Sequence, residues 1–559
     1  MVVARSIWGA KSKFAFAATA LGVGAGAVAI VKSDDPATSL KICTTVPVRL
    51  FRLSLTAATI ALDYEYSLSG LPEDSIERTR VKREVHTRGA RRLEQLCFKN
   101  GGIYIKLGQY IGQLEYLVPQ EYINTLRESM LNRCPTSSYD QVCQVVKKEL
   151  GGEPEEIFDE FDPVPIASAS VAQVHVARTH QGEKVAVKVQ HMHMTDTADA
   201  DYATVELIVN TLHRLFPSFD YRWLVDEVRD CLPRELDFLI EAKNNVKCMD
   251  NFRRLSPHIA DYVYAPVVYW NLSTTKLLTM EFVDGAQVND LKSIQRLGIE
   301  PHDIARLVSQ TFAEMMFKHG CVHCDVHAAN LLVRIMPSHK RGIFGRRKPQ
   351  LVLLDNGLYK ELDISTRTNY AALWKALVLA DANAIKENCL KLGSGEDLYA
   401  LFAGILTMRP WNRVIDPTVD HLTMQGNASD HSELQMYASL YFPQITELLH
   451  KLPRVILLML KTNDCLRAVN NALVQRLSVE SFIIIGRVSS EALIDEKLSH
   501  AKSLFSLLHI WLEEISLEAR FGIMQVALWI LQIRRAFTLW TGKHDAGSFA
   551  FSLSFLYPF

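Results

Sequence analysis

Four short segments, far apart in this 559-residue chain, carry side chains suited to moving a phosphoryl group. They are Val185-Ala186-Val187-Lys188, His323-Cys324-Asp325, Asn330 and Asp355-Asn356-Gly357. A lysine closing an alternating Val-Ala-Val run sits on a strand and reaches the α- and β-phosphates of a nucleotide. The Asp of a His-x-Asp loop faces the attacking group. An Asn five residues later and the Asp of an Asp-x-Gly hold metal. Lys188 and Asp325 are therefore candidate catalytic residues, and Asn330 and Asp355 candidate metal ligands. The matching reagent is ATP (or ADP) with Mg²⁺, a hard cation that takes oxygen ligands. Each segment is weak alone. In this order each supplies a different part of one reaction.

A glycine-rich loop should cover the nucleotide ahead of such a lysine. Here the chain reads Ile166-Ala167-Ser168-Ala169-Ser170-Val171, with small residues but no Gly-x-Gly-x-x-Gly. Ala and Ser carry a Cβ, so the φ > 0 turns open to glycine are disfavoured and a stiffer lid is expected. Ala167, Ser168, Ala169 and Ser170 become nucleotide-binding candidates, the two serine hydroxyls as possible phosphate donors.

The elements that must position these groups can be outlined from pattern. Residues 34–45 read as a polar linker, and helical patterns dominate from Leu55 to about Leu150. The stretch Arg78–Lys99 reads as a solvated basic helix face, with contact to an anionic surface as the alternative. After Gly101-Gly102 a helix is expected with the apolar face Ile103, Leu107, Ile111 and Leu114. Pro119 starts another, and Gly151-Gly152 marks a boundary. Ala172–Arg178 and Lys184–Gln190 read as a two-strand hairpin turning at Gln181-Gly182. Helices are expected at about 198–215 and 222–248. Strand Lys276–Phe282, which carries the nucleotide-binding candidate Glu281, leads to a hinge at Asp284-Gly285. Helices at about 290–296 and 301–319 precede the His-x-Asp loop. Leu331–Arg334 and Leu351–Leu354 form a short hairpin around a basic loop (Lys340, Arg341, Arg346, Arg347, Lys348). Only about eight residues separate Asp355 from the next helix start near Asp363–Ser365, so a peptide-docking activation segment does not fit. That argues against protein phosphorylation.

This pattern resembles the UbiB family of atypical kinases, also called aarF-domain-containing kinases, and within it the mitochondrial aarF-domain-containing kinase 1 branch. Lys106-Leu107-Gly108-Gln109 matches the family's Lys-x-Gly-Gln signature, and the segment Glu235-Leu236-Asp237 its Glu-x-Asp motif. The resemblance runs from about residue 85 to about 500. It departs at Val326, Ala328 and Ala329, where Pro, Pro and Gly are common, and at Ser168 in place of Ala. It implies an α+β, protein-kinase-like two-lobed fold with a helical extension and a helical C-terminal lobe. It also implies a role for Lys106 in catalysis and for Gln109, Glu235, Asp237 and Glu241 around the nucleotide. Local spacing nominates Glu206 as the acidic partner of Lys188; the family pattern nominates Glu241. If residues 235–241 are helical, Asp237 and Glu241 share a face at i,i+4 and Glu235 points elsewhere.

Composition bounds the rest. A 48% apolar content supports a large core, and a net charge of −1 gives no field for nucleic acid. Ten scattered cysteines are not a disulfide scaffold, and one Cys321-x-x-Cys324 pair inside the catalytic loop reads as incidental. Residues 1–33 contain no acid but include Arg5, Lys11, Lys13 and Lys32, as in a mitochondrial targeting segment. Phe14–Val31 is an uncharged run of 18 residues with a Gly22-x-x-x-Gly26 face, near the lower limit for a span. A secretory signal shares this order, but no disulfide pattern follows it. The expected domains are 1–33 targeting or membrane segment, 34–150 helical extension, 151–285 small lobe, 286–510 large lobe, and 511–559 C-terminal helix and apolar tail. Phe521–Ile533, with Trp529, Trp540 and Arg534-Arg535 near it, reads either as an interfacial helix or as a core helix.

Two function classes follow. One is a mitochondrial ATP-binding ATPase or small-molecule or lipid kinase, associated with the inner membrane and serving lipid or quinone homeostasis and crista organisation. The other is a nucleotide-binding scaffold for inner-membrane proteins that needs no phosphotransfer. Membrane lipids are the expected partners in either.

Overall fold

A computed structural model describes residues 36–541, apart from 73–74, 113–117, 133–135, 193, most of 216–232, 338–346, most of 416–450 and 475–478. The expected targeting and membrane-spanning segment, most of the basic loop and the apolar tail lie outside the described residues. Two compact units appear. The first is Met1–Ala242 with Val267–Phe282, the second Lys243–Pro266 with Val283–Phe559. The break after Phe282 falls two residues before the expected Asp284-Gly285 hinge. Residues 243–266, expected in the small lobe, belong to the second unit.

The strands, in chain order, are β1 (Glu160–Phe161), β2 (Ala167–Ser168), β3 (Ala172–Arg178), β4 (Lys184–Gln190), β5 (Val263–Tyr264), β6 (Leu277–Glu281), β7 (Ala286–Gln287), β8 (Cys321–His323), β9 (Leu331–Ile335), β10 (Pro349–Leu353) and β11 (Tyr359–Glu361). The first unit holds a sheet in the order β1-β3-β4-β6, with β2 also on β3. All its pairings are antiparallel, and Val174 lies opposite Lys188. The hairpin falls on the expected residues because its side chains alternate in and out. Val185, Val187 and Val189 of β4 pack with Val142, Val146, Phe158 and Leu277 in one core cluster. Ala186, Lys188 and Gln190 face the other way by period. On that side, Ala186 packs against a second cluster that includes Phe238, Ala242 and Leu278. The strand's apolar face thus anchors the lysine that its polar face presents.

Ahead of this sheet the first unit is helical. The helix Pro36–Leu68 begins inside the stretch expected to be a linker, with Pro36 as its first residue. A leading proline lacks only an N–H that would be unpaired there anyway. Thr45–Leu68 of this helix is long and apolar enough to cross a membrane. It also makes specific polar contacts within the unit. Arg49 meets Asp201 at 2.7 Å, and Asp63 accepts from Arg88 at 2.7 Å and from Arg92. Arg88 and Arg92 of the basic helix Ile76–Asn100 are thus tied to the preceding helix, while Arg80 stays exposed with Glu84. The Lys-x-Gly-Gln helix is Ile103–Ile111, entered through Gly101 (φ 66°) and Gly102 (φ 56°). Such φ values favour residues without a Cβ. Its buried residues are Ile103, Tyr104, Ile105, Gly108 and Tyr110; of the expected face, Ile103 is buried, Leu107 and Ile111 are half-buried, and Leu114 lies outside the described residues. Arg49 over the Tyr104 ring, at 5.4 Å, helps draw that side inward.

In the second unit β10 pairs antiparallel with β9 and parallel with β5, and β7 pairs with β9. Helix Pro301–Glu314 continues into a π-turn, Met315–His319, that ends at Gly320. β8 then pairs antiparallel with β11, with His323 opposite Tyr359. The expected helix after Asp355 runs Ile364–Val378, capped by Asp363, whose carboxylate accepts from the Thr366 N–H at 2.9 Å. Further helices of this unit include Ala382–Lys391, Tyr399–Thr407, Arg454–Leu473, Val479–His500 and Leu504–Thr541. The last absorbs the short apolar segment read at Phe521–Ile533. Its Ile510, Leu517, Phe521 and Met524 pack with Val378, Ile483 and Ile494. The side chains of Trp529, Arg534, Arg535 and Trp540 lie outside the described set.

Candidate nucleotide and phosphoryl-transfer residues

In the first unit Lys188 Nζ donates to both oxygens of Glu241, at 3.0 and 2.8 Å. Both residues are buried, at 8% and 3% exposure. The Phe238 ring lies 5.2 Å from the same ammonium. Glu206, the partner suggested by local spacing, instead pairs with Arg229 at 2.5 Å on the surface. Glu241 sits in the first turn of the helix Phe238–Leu255.

That helix begins too late for the expected shared acidic edge. Asp237 precedes it, and its Oδ1 accepts from the Leu239 N–H at 3.0 Å. Asp is a strong N-cap because its short carboxylate reaches back to an orphan amide. The Asp237–Glu241 helical pair of the sequence reading is corrected accordingly: Asp237 caps, and Glu241 alone meets Lys188. Glu235 lies before the break and is held elsewhere. It pairs with Lys106 at 2.8 Å and accepts from the Tyr110 hydroxyl at 3.2 Å. Lys106 also stands 5.6 Å from the Tyr110 ring. Lys188 and the half-buried Lys106 thus each meet a carboxylate, which offsets the cost of drawing the charge away from water.

The lid is a tight hairpin. Ala167 and Ser168 pair with Val174 and Gln173, and the Ala169 N–H donates to the Ala172 carbonyl at 2.8 Å. Among the described residues only Ala380 and Met408 carry a positive φ without being glycine, so no lid residue does. The alanine- and serine-rich sequence is therefore compatible with its turn. Ser170 is buried, and its hydroxyl donates to Gln109 Oε1 at 3.3 Å, joining the Lys-x-Gly-Gln helix to the lid. Glu281 pairs in register with Val185, and its carboxylate accepts from the Val267 N–H at 3.3 Å. Replacing Ala167 by Gly is expected to loosen this hairpin and change ADP or ATP affinity several-fold, because glycine restores backbone freedom. Ala382→Gly, at the half-exposed start of the helix Ala382–Lys391, serves as the control. Equal nucleotide affinities in calorimetry for wild type and Ala167→Gly would remove Ala167 from the site.

The second unit holds the remaining groups together. The Asp325 N–H donates to His323 Nδ1 at 3.1 Å. His323 is fully buried, and burial pushes its pKa below the usual histidine value. A neutral ring accepting at Nδ1 carries its proton on Nε2. The Asn330 side-chain amide donates to the Asp325 carbonyl at 3.1 Å, and the Leu354 N–H donates to the Asn330 carbonyl at 3.0 Å. Asp355 Oδ1 accepts from the Gly357 N–H at 2.9 Å. Asn356 is buried, and its Oδ1 accepts from the Tyr359 hydroxyl at 2.9 Å. With Tyr359 opposite His323 across β8 and β11, the His-x-Asp loop and the Asp-x-Gly turn are fastened to one another. Cys324, also in that loop, is fully buried; its pKa is pushed up to about 12, so it stays a thiol and donates to the Val322 carbonyl.

These donors fit Mg²⁺. Asn330 spends its amide NH₂ on Asp325, which leaves Oδ1 as its accepting end, and Asp355 offers a carboxylate. Mg²⁺ is commonly held by one or two protein oxygens together with phosphates. Among the described residues no group of three or more His, Cys, Asp or Glu could hold a metal without such help. When bound, the ion would offset the charge of β- and γ-phosphate oxygens.

Comparison with known proteins is decisive about kinship. A putative ABC1 protein of Arabidopsis thaliana is 68% identical over 96% of this chain and 100% of its own length. AarF domain-containing protein kinase 1 of Gallus gallus is 38% identical over 86% of this chain and 90% of its own length. The ABC1 atypical kinase-like domain description matches residues 129–389. The chain belongs to the ABC1/AarF family. A third member, AarF domain-containing kinase 1 of Drosophila melanogaster, is 36% identical over 83% of this chain and 87% of its own. The fold of this ABC1 protein is accordingly kinase-like and mixes helices with sheet, as the sequence motifs implied.

Two residues of this ABC1 chain escaped the sequence reading. Tyr110 follows Gln109 directly, so its place beside the signature was a usable signal. Lys461, from the helix Arg454–Leu473, lies 3.9 Å from Asp325 Oδ1. Nothing in its local sequence distinguishes it from a surface lysine.

Proposed function

We propose that this protein binds ATP with Mg²⁺ and acts as an ATPase or as a kinase of a small or lipid molecule, rather than as a protein kinase. The observation that carries this reading is the interval after Asp355. β11 and its pairing with β8 occupy residues 359–361, and the next helix starts at Ile364. A loop able to carry a phosphosite and seat a peptide has no length left there. The Lys188–Glu241 pair and the Asp325, Asn330 and Asp355 set supply the groups that phosphoryl transfer uses.

The place of action we propose is a mitochondrial membrane, the inner one, with a role in lipid or quinone homeostasis and crista organisation. The acid-free, basic first 33 residues support the address. Apolar side chains exposed along one row of the helix Leu504–Thr541 support the membrane. Leu504, Leu508, Trp511, Ile515, Ile523 and Val526 recur at helical spacing and are all exposed. Such a face buries well at a lipid–water boundary. The same face favours a second reading, a nucleotide-binding scaffold that docks inner-membrane proteins without turnover.

The test is ATP hydrolysis by the full chain with and without vesicles containing anionic lipid. The enzyme reading expects hydrolysis that rises with vesicles and disappears in Asp325→Asn. Binding of ATP without hydrolysis under either condition would leave the scaffold.

A further inference from the structure

The catalytic loop Asp325-Val326-His327-Ala328-Ala329-Asn330 contains no lysine or arginine. Phosphoryl transfer spreads negative charge over three equatorial oxygens, and fixed cations there are worth more than anywhere in water. His327 lies near, with Nε2 3.8 Å from Asp325 Oδ2, but a histidine is charged only when protonated. A permanent cation beside Asp325 is Lys461, with Nζ 3.9 Å from Oδ1 and a side chain only 9% exposed.

The helix bearing Lys461 is pinned just beyond it. Thr462 hydrogen-bonds its own Leu458 carbonyl at 2.8 Å and is a partner of the Cys324 thiol. The Asn463 amide donates to the buried Tyr370 hydroxyl at 2.6 Å. Arg467 donates to the Leu406 carbonyl at 2.9 Å. These contacts set the backbone, so the lysine stem enters the loop region in one place. At 3.9 Å the ammonium attracts Asp325 through space and is outside hydrogen-bond range.

We infer that Lys461 is a further catalytic residue, the cation that meets the transferring phosphoryl group beside Asp325. The inference rests on the ATP reading above. In the step, an acceptor hydroxyl or water oxygen bonds to the γ-phosphorus and gives its proton to Asp325. The bond from phosphorus to the bridging oxygen breaks, and its electron pair leaves with ADP. Lys461 offsets charge on the equatorial oxygens, so its effect is on the transition state more than on nucleotide binding.

The test uses the full-length protein and thermal shift with two ligand sets: ADP with Mg²⁺, and ADP with Mg²⁺ and aluminium fluoride, which mimics the planar phosphoryl. Lys461→Met should bind ADP with Mg²⁺ as wild type does and lose the extra stabilisation by aluminium fluoride. Its kcat should fall by about 10²–10³-fold with KM for ATP unchanged. Lys461→Arg keeps the charge and should recover part of both. If aluminium fluoride stabilises Lys461→Met as much as wild type, the role is overturned. If Lys461→Met and Lys461→Gln both lose ADP binding, or melt early without ligand while Lys461→Arg does not regain the aluminium fluoride response, the lysine is a structural pin and the role is likewise overturned. Failure of wild type itself to bind ADP with Mg²⁺ would instead sink the ATP reading.

Discussion

Replacing Asp355 by Asn is expected to abolish the Mg²⁺-dependent stabilisation that ATP gives the wild-type protein. The substitution keeps the shape of the side chain. Its Oδ1 can still accept from the Gly357 N–H, the 2.9 Å contact that shapes the turn. The fold should therefore survive. What is lost is the negative charge that a hard divalent ion requires, leaving Asn330 and a neutral amide as protein donors. A ligand at about 100 times its Kd stabilises a protein by about 2.7 kcal/mol, so the wild-type signal is large enough to read. Melting should be followed with ATP, with and without Mg²⁺, in both proteins. The same Mg²⁺-dependent shift in Asp355→Asn would remove Asp355 from the metal site.

The second large effect is on stability. Glu241→Ala should destabilise the first unit by about 3–5 kcal/mol, because it strands the buried Lys188 ammonium without its carboxylate. The pair is held by two hydrogen bonds and is shielded from water, so the small values typical of exposed ion pairs do not apply. Replacing both members, as in Lys188→Met with Glu241→Leu, should recover much of the stability while leaving nucleotide binding lost. Urea unfolding of the three proteins checks this. A loss below about 1 kcal/mol in Glu241→Ala would mean that the pair behaves as a surface one.

Both expectations depend on partner choice, and there the sequence and the tertiary structure divide. Several features were legible because they are local. The β3–β4 hairpin follows from a period of two over Ala172–Arg178 and Lys184–Gln190, so a shift of one residue would have exposed Val185, Val187 and Val189. The β8–β11 arrangement hides in no pattern, but the short distance from Asp355 to the Asp363 cap was countable. The motif residues themselves announced the kinase-like chemistry through their types and order.

What the sequence by itself determined, then, is which groups take part and which short elements carry them. Which carboxylate meets which lysine was decided only by tertiary structure. Glu206 has the plausible local spacing but lies on the surface with Arg229, while Glu241 is brought to Lys188 by the packing of Phe238 and Ala242 against the sheet. Asp237 looked like a helix residue, yet a cap competes for the same side chain and starts the helix only at Phe238. The helix Pro36–Leu68 reads as a linker followed by a helical pattern from Leu55 until Arg49 and Asp63 find partners far along the chain. Lys461 is the extreme case. A single lysine on an amphipathic helix carries no signal of its own, because its meaning lies in the distance to Asp325, and only the folded chain sets that distance.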